Sequence, residues 1–218
     1  MVTYSLKKSY QHKTLKEIKF NDLWGDHGVF TTMWIFDKPA KILFFKKHIK
    51  NLVKSLKIYK LNKPNIEKDI LKLIKLNVDK DKSYNHLLRV AINVKMISVS
   101  LRSRITPKLK FNLKLINYKR VDPTSKNLKY QLILKYLSKM NNTCSDIGLC
   151  FNKHILESGT SNIFFIKNSI VYSPSNRIYK GITYNFFKKK LGKITNKEIL
   201  VNSLNDYDEI LLIGSGKA

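Results

Sequence analysis

The spacing of apolar and polar positions changes period several times along the chain. Val29 to Phe36 is an apolar, β-favouring run, and Lys41 to Phe45 is a second one. Asp37-Lys38-Pro39 between them is a turn signal, so the two runs read as a hairpin. From Lys47 to Tyr59 the period becomes helical. Ile49, Leu52, Val53, Leu56 and Tyr59 form one stripe and lysines fill the opposite face. Pro64-Asn65 opens a second amphipathic helix, with Ile66, Ile70, Leu73 and Ile74 as its stripe. Leu87 to Val99, where Val90, Ile92 and Val94 alternate, and Phe111 to Ile116 read as strands. The first half is expected to be a small α+β unit.

Tyr118 to Ser125 carries Pro and charge without periodicity and reads as a linker. A helix from about Ser125 to Lys139 is expected next, with Leu128, Leu132, Ile133 and Tyr136 on its face. Short strands follow at Ile147 to Phe151, Asn162 to Ile166 and Ile170 to Tyr172. Thr183 to Lys190 reads as a helix opening after Gly181, and Glu209 to Ile213 as a final strand. The expected organisation is a small N-terminal domain (1–117), a linker (118–125) and a C-terminal mixed domain (126–218).

The chain has 218 residues, 43% of them hydrophobic, enough for a real core and against disorder. Its formal charge of +27 suggests a nucleic-acid binder at first sight. The basic residues are nearly all lysines scattered along the chain, however, and only Arg89, Arg102, Arg104, Arg120 and Arg177 are arginines. Base and phosphate readers lean on the bidentate guanidinium fork. The pattern instead suits a bias toward AT-rich codons, so no specific nucleic-acid partner is expected. Cys144 and Cys150 match no metal or redox spacing, and His12, His27, His48, His86 and His154 are dispersed, so no metal site is expected. The N-terminus lacks an apolar core and no run reaches membrane-spanning length, so the expected location is the cytoplasm, away from membranes.

Three segments carry candidate chemistry. Thr124-Ser125-Lys126-Asn127-Leu128-Lys129-Tyr130 follows the linker. Glu157-Ser158-Gly159-Thr160-Ser161-Asn162 is a charged residue, a small-residue bend and the start of a buried strand. Tyr172-Ser173-Pro174 precedes Gly181-Ile182-Thr183, a Gly-led helix start that presents N–H groups and a positive dipole end to an anion. Each segment alone also fits an ordinary turn or surface lysine.

Together and in this order they resemble the class IV (fold type IV) pyridoxal-phosphate enzymes, the family of branched-chain and D-amino-acid aminotransferases and aminodeoxychorismate lyases. Gly25-Asp26-His27-Gly28-Val29-Phe30, His48-Ile49-Lys50-Asn51-Leu52 and Asp208-Glu209-Ile210-Leu211-Leu212-Ile213-Gly214-Ser215 resemble further family segments. The resemblance covers residues from about 21 to 218. It implies an α/β (α+β) fold of two domains, a small N-terminal one and a larger C-terminal mixed one. The C-terminus is shortened, because relatives continue past the position of Ser215. It also implies pyridoxal 5'-phosphate as cofactor and a homodimer.

By the same resemblance, Lys126 is the Schiff-base lysine, with Lys129 the runner-up. Glu157 pairs with the pyridine nitrogen and Tyr130 lies near the cofactor's O3′. Gly181, Ile182, Thr183, Gly214 and Ser215 cup the phosphate. Phe30, Thr32 and Arg89 are substrate candidates. Asn51 stands where the family's helix carries a phosphate-gripping Arg, which implies weakened cofactor affinity unless Lys47 or Lys50 compensates.

The chemistry calls for these residue types. A primary amine bonds the cofactor and later acts as base at the substrate Cα. An anion keeps the ring nitrogen protonated so that the ring can act as an electron sink. Amino transfer from an amino acid to a 2-oxo acid is the first expectation. A lyase step making 4-aminobenzoate and pyruvate for folate synthesis is the alternative, favoured slightly by Thr31-Thr32. An inactive, truncated relative is a further alternative.

Overall fold

The protein's structure, a computed structural model, describes residues 3–175 and 178–216. It divides into two units, Met1–Arg104 with Ser125–Tyr130, and Ile105–Thr124 with Gln131–Ala218. The first unit contains β1 (Tyr4–Gln11), β2 (Glu17–Ile18), β3 (Gly28–Asp37), β4 (Lys41–Ile42), α1 (Phe45–Ile58), α2 (Ile66–Asn77), β5 (Tyr84–Asn93) and β6 (Met96–Ser103). The strands form one antiparallel sheet in the order β2-β1-β6-β5-β3-β4.

The helical stripes read from sequence are buried. Ile49, Leu52 and Leu56 of α1 and Ile66, Ile70, Leu73 and Ile74 of α2 share a cluster with Val29, Met33 and Ile35 of β3 and Leu88, Val90 and Ile92 of β5. Alternation puts Val29, Thr31, Met33 and Ile35 on the face of β3 that meets the helices, and Phe30 and Thr32 on the other. Fully burying one such aliphatic side chain is worth about 1.5–3 kcal/mol.

Three expectations are corrected in this unit. The run Leu87 to Val99 is two strands with a turn at Val94 and Lys95, because the Asn93 side chain accepts from the Lys95 and Met96 N–H groups and ends the alternation. The second strand of the first hairpin is only Lys41–Ile42, and Phe45 already opens α1. Residues 125–130 are not the start of a helix. They run antiparallel beside the first residues of β3, with Val29 opposite Asn127, Phe30 N–H donating to Lys126 O (3.0 Å) and Leu128 N–H to Gly28 O (2.9 Å).

The second unit contains β7 (Asn112–Asn117), α3 (Gln131–Leu137), β8 (Ser145–Phe151), β9 (His154–Ser158), β10 (Asn162–Lys167), β11 (Ile170–Pro174), α4 (Ile182–Leu191), β12 (Thr195–Lys197), β13 (Ile199–Leu200), a 3-10 turn (Val201–Asp206) and β14 (Glu209–Ile213). These strands form two four-stranded sheets, β12-β11-β10-β14 and β13-β9-β8-β7. The grouping departs from the expected boundaries on both sides of the linker. β7 belongs with the second unit because it pairs in parallel with β8, and residues 125–130 belong with the first because β3 takes their backbone bonds. The helix expected from Ser125 survives only as α3. Among the described residues no helix is long and apolar enough to cross a membrane.

Candidate active site

The backbone of Lys126 is fixed by β3, and its Nζ lies 5.2 Å from the centroid of the Phe30 ring. The strip fits against β3 only because residue 28 is Gly. A Cβ there would sit 2.4 Å from the Ile92 carbonyl oxygen and 2.5 Å from a Leu128 methyl. Lys129, the runner-up, donates its Nζ to the Gly25 carbonyl (2.6 Å), an anchoring role. Tyr130 packs edge-on against Phe30 (5.4 Å) and near Trp24 (5.8 Å).

Phe30, Thr32 and Arg89 share one face of the sheet, since Thr32 of β3 lies directly opposite Arg89 of β5. The Arg89 guanidinium stacks 3.6 Å from the centroid of Trp24, and one Nη donates to the Asp22 carbonyl (2.6 Å). Its Nε is buried without a hydrogen-bond partner. Burial holds the Arg89 pKa below the ordinary guanidinium value. An unsatisfied donor of this kind suits an incoming carboxylate.

On the other face, buried Thr31 Oγ1 bonds His48 Nδ1 (2.8 Å). Burial first, and then the charge of Lys126, push His48 down to about 3, so it is neutral at working pH. The proposed substitutes for the missing Arg make their own local contacts. Lys47 Nζ lies 4.9 Å from the Phe44 ring, and exposed Lys50 lines a groove beside α1 with Asn51, Lys54 and Glu67.

In the second unit, Glu157 is the last but one residue of β9 and is buried with Arg120. Arg120 Nε donates to Glu157 Oε1 (2.7 Å), and Nη2 donates to Oε2 (3.1 Å) and to the Pro123 carbonyl (2.8 Å). The segment read as a linker is thus anchored through its one arginine. A carboxylate has about four lone-pair sites, so this fork orients Glu157 without excluding a further N–H donor.

The bend after Glu157 is held from within. Fully buried Asp146 accepts from Ser158 Oγ (3.2 Å), Thr160 Oγ1 (2.6 Å) and Ile147 N–H (2.8 Å). Ser158 Oγ in turn accepts from Ser161 N–H (2.8 Å).

The opening of α4 is built by Asn162. Its Nδ2 donates to the Tyr179 carbonyl (2.7 Å) and its Oδ1 accepts from Gly181 N–H (3.0 Å), which fixes the extended cap Gly181 just before Ile182 and Thr183. Thr183 is buried, yet its Oγ1 has no hydrogen-bond partner. Gly214 follows β14 and approaches the same stretch, since a Cβ on it would lie 2.8 Å from Ser161 Oγ. Ser215 comes next and is partly exposed.

Within the first unit the structure therefore brings Lys126, Tyr130 and Phe30 together, and sets Thr32 beside Arg89. Within the second it gathers Gly181, Ile182 and Thr183 at one helix end, places Gly214 against Ser161, and buries Glu157. Sequence reasoning assigned no role to Trp24, His48, Arg120, Asp146 or Asn162. For Arg120 a signal existed, an arginine kept in a chain that otherwise uses lysine. Among the described residues no cluster of His, Cys, Asp or Glu is arranged to hold a metal.

A two-unit α+β chain with a strand-locked lysine, a buried carboxylate and a helix opening with an unpartnered buried threonine hydroxyl has the outline of a class IV aminotransferase. The chain belongs to that family, amino-transferase class IV, whose sequence model matches residues 28–218. It is 25% identical over 171 residues to a probable branched-chain-amino-acid aminotransferase of Rickettsia bellii, an alignment covering 66% of this chain and 58% of the relative. The chain thus spans under two thirds of that relative's length. Its fold is similar to the branched-chain aminotransferase of Thermoproteus uzoniensis (TM-score 0.74, 16% identity, 96% of this chain and 84% of that one). It is similar also to a putative 4-amino-4-deoxychorismate lyase of Legionella pneumophila (TM-score 0.74, 16% identity, 95% and 87%).

Proposed function

We propose that the chain is a pyridoxal-phosphate enzyme that transfers the amino group of an amino acid to a 2-oxo acid, with Lys126 as the cofactor-bonding amine. The observation that carries this reading is the opening of α4. Its first N–H groups and the Thr183 hydroxyl form a buried donor set with no internal acceptor for Thr183 Oγ1, which fits a phosphate group. The other residues fit the rest of the cofactor. Lys126 is a primary amine on a rigid strip. Glu157 is a buried carboxylate whose orientation Arg120 fixes, suited to an N–H of an aromatic ring. Tyr130 offers a phenol beside Lys126's aromatic neighbour Phe30. Gly214 and Ser215 extend the anion cup.

When bound, the cofactor supplies an electron sink for charge released at the substrate Cα. The chain's own residues do the remaining work. Lys126 holds and returns the proton at Nζ. Arg89 Nε, with Thr32 opposite, receives a substrate carboxylate, and Phe30 borders that place. Thr31 bonds His48, which leaves Thr32 as the hydroxyl on the substrate face. Lyase chemistry on aminodeoxychorismate is the second reading, favoured by those two threonines in place of acidic or small residues. A homodimer working in the cytoplasm is part of the proposal.

The test is to purify the protein with added pyridoxal phosphate and follow its visible absorption. The wild type should show a band that borohydride fixes, with the label on Lys126 by peptide mass. Lys126→Ala should lose the band and Lys129→Ala should keep it. A folded wild type without a band at high cofactor would overturn the reading. A substrate panel then separates transfer from lyase activity.

A further inference from the structure

Three of the chain's five arginines and both of its tryptophans meet at one face of the first unit's sheet, the face turned away from the α1 and α2 cluster. Register sets its strand residues in rows. Trp34, Leu87, Arg102 and Tyr4 follow one another across β3, β5, β6 and β1, and Thr32, Arg89, Ser100 and Lys7 form the next row. Arg102 and Arg89 are thus diagonal neighbours, about 7–8 Å apart at that spacing and within reach of long side chains. Lys7 Nζ lies 4.6 Å from the Tyr4 ring centroid and brings a third cation to the group. Arg104, two residues beyond Arg102, stacks on Trp34 at 4.5 Å. Among the described residues these two rows hold no acidic side chain. Asp22, the acidic group felt at Arg89, uses its Oδ1 to accept the Trp24 N–H (3.1 Å).

The segment before β3 covers the adjoining row of Phe30, Ala91, Ser98 and Ser9. Ser9 and Ser98 hydroxyls donate to the Asn21 carbonyl (3.3 and 2.6 Å), and Trp24 packs edge-on against Phe30 (4.9 Å). At Arg89 this segment supplies only the Asp22 carbonyl. Tyr4 is 41% exposed, and Arg102 and Trp34 are half-buried. The Arg102 guanidinium makes no hydrogen bond or ion pair among the described residues. Burial above all holds Arg89 and Arg102 below the ordinary guanidinium value; at Arg89 the charge of Arg102 adds to this, while Asp22 and Tyr4 oppose it. Clustered cations that are partly desolvated and short of counter-charge favour an incoming anion.

We infer that Arg102, Tyr4 and Lys7 form an oxyanion site beside Arg89, in which the Arg102 fork receives a carboxylate or phosphate group and the Tyr4 phenol and Lys7 ammonium complete its shell. A chain that uses lysine almost everywhere keeps arginine here, where a planar fork outperforms a point charge. The oxyanion has two sources, the far acidic group of a substrate whose first carboxylate sits on Arg89, or a free anion. The first source rests on the reading of Arg89 as the carboxylate receiver, and the second does not.

The experiment titrates the whole chain, purified without cofactor and at fixed ionic strength, with succinate, inorganic phosphate and acetate. The indole N–H resonances of Trp24 and Trp34, the chain's two tryptophans, report binding by NMR. Succinate or phosphate should shift them saturably. Arg102→Gln should weaken that binding by about tenfold or more, the size of one lost hydrogen bond to a charged group. Lys57→Gln removes an exposed lysine of α1, behind the sheet, and should change nothing, which separates the site from the chain's general positive charge. If Arg89→Gln weakens succinate and leaves phosphate unchanged, the substrate's far group is the source. If phosphate alone binds, and needs Arg102 without Arg89, a free anion is the source. Either result supports the site. No saturable shift, or equal affinity in wild type and folded Arg102→Gln, overturns it. If Arg102→Gln does not fold, the double variant Tyr4→Phe with Lys7→Gln decides, since both residues are exposed. The readout needs no cofactor, so it can fail while the absorption band stands, or hold while the band is absent.

Discussion

In the first unit the candidate site side chains are placed by sheet register, and in the second by buried polar bonds. Around β3 and β5 one continuous apolar cluster backs the sheet, and Lys126, Thr32 and Arg89 take their positions from which strand residue faces which. The second unit has smaller apolar clusters, such as the one around Phe164 and Tyr184 and the one around Ile163 and Phe165. Its site is set by side chains that satisfy one another in the interior: Arg120 with Glu157, Asp146 with Ser158 and Thr160, and Asn162 with Tyr179 and Gly181. Register is held by many weak, redundant interactions, whereas a buried polar bond is costly to leave half made. The two halves should therefore differ in how they respond to single substitutions.

The largest test of that contrast is Arg120→Met. It strands the Glu157 carboxylate in the interior and should cost about 3–5 kcal/mol in urea unfolding, with much of the loss recovered in the double variant with Glu157→Gln. A loss under about 1 kcal/mol would break the contrast, because exposed ion pairs are worth that little.

The next test lies on the acid side of the stability curve and concerns His48, a buried imidazole of the first unit. His48 sits at about 3 in the fold against 6.5 in the open chain. Below 6.5 the unfolded chain takes a proton that the folded chain refuses, so stability falls as pH drops toward 3. At pH 5 the loss from this group is about 2 kcal/mol. His48→Gln should flatten that part of the curve, and an unchanged slope would mean that the ring is not buried neutral.

Asn162→Ala leaves the Gly181 N–H and the Tyr179 carbonyl without their partner and should cost about 1–3 kcal/mol. It should also weaken pyridoxal-phosphate binding by about tenfold or more, read by fluorescence titration, through a loosened helix opening. The smallest effect is expected for Lys129→Ala, whose bond to Gly25 is exposed. Its unfolding midpoint should stay within about 0.5 kcal/mol of wild type.

Much of the fold was legible because its periodicity is strong. The stripes of α1 and α2 and the run Glu209 to Ile213 each have one dominant period and one buried face. The strip 125–130 was misread for a physical reason. Leu128, Leu132 and Ile133 are spaced as on a helix, but Leu128 is buried with Leu23 and Phe30, and its backbone is taken by β3. Tertiary hydrogen bonding overrode local pattern there. Val94 extended an apparent alternation through a turn that only the Asn93 side chain reveals. Of the candidate site, Lys126, Glu157 and the opening of α4 stood out in the sequence as motifs. Their supports did not, because His48, Asp146 and Asn162 act through partners distant in sequence. Arginine use was the readable clue. Arg89, Arg102, Arg104 and Arg120 are all withdrawn from full exposure, while lysines dominate the surface.

The return of residues 125–130 to β3 also governs how the chain can be made and divided. The open edge of β3 at Gly28 to Phe30 stays uncovered on a nascent chain until residue 130 has left the ribosome, by which time the whole of β7 has been synthesised. A fragment ending at residue 104 would expose that edge permanently and invite pairing with another copy. Neither unit can be excised as one contiguous piece, and a circular permutant opened at 104 would have to keep 125–130 tethered to β3 to hold Lys126 in place.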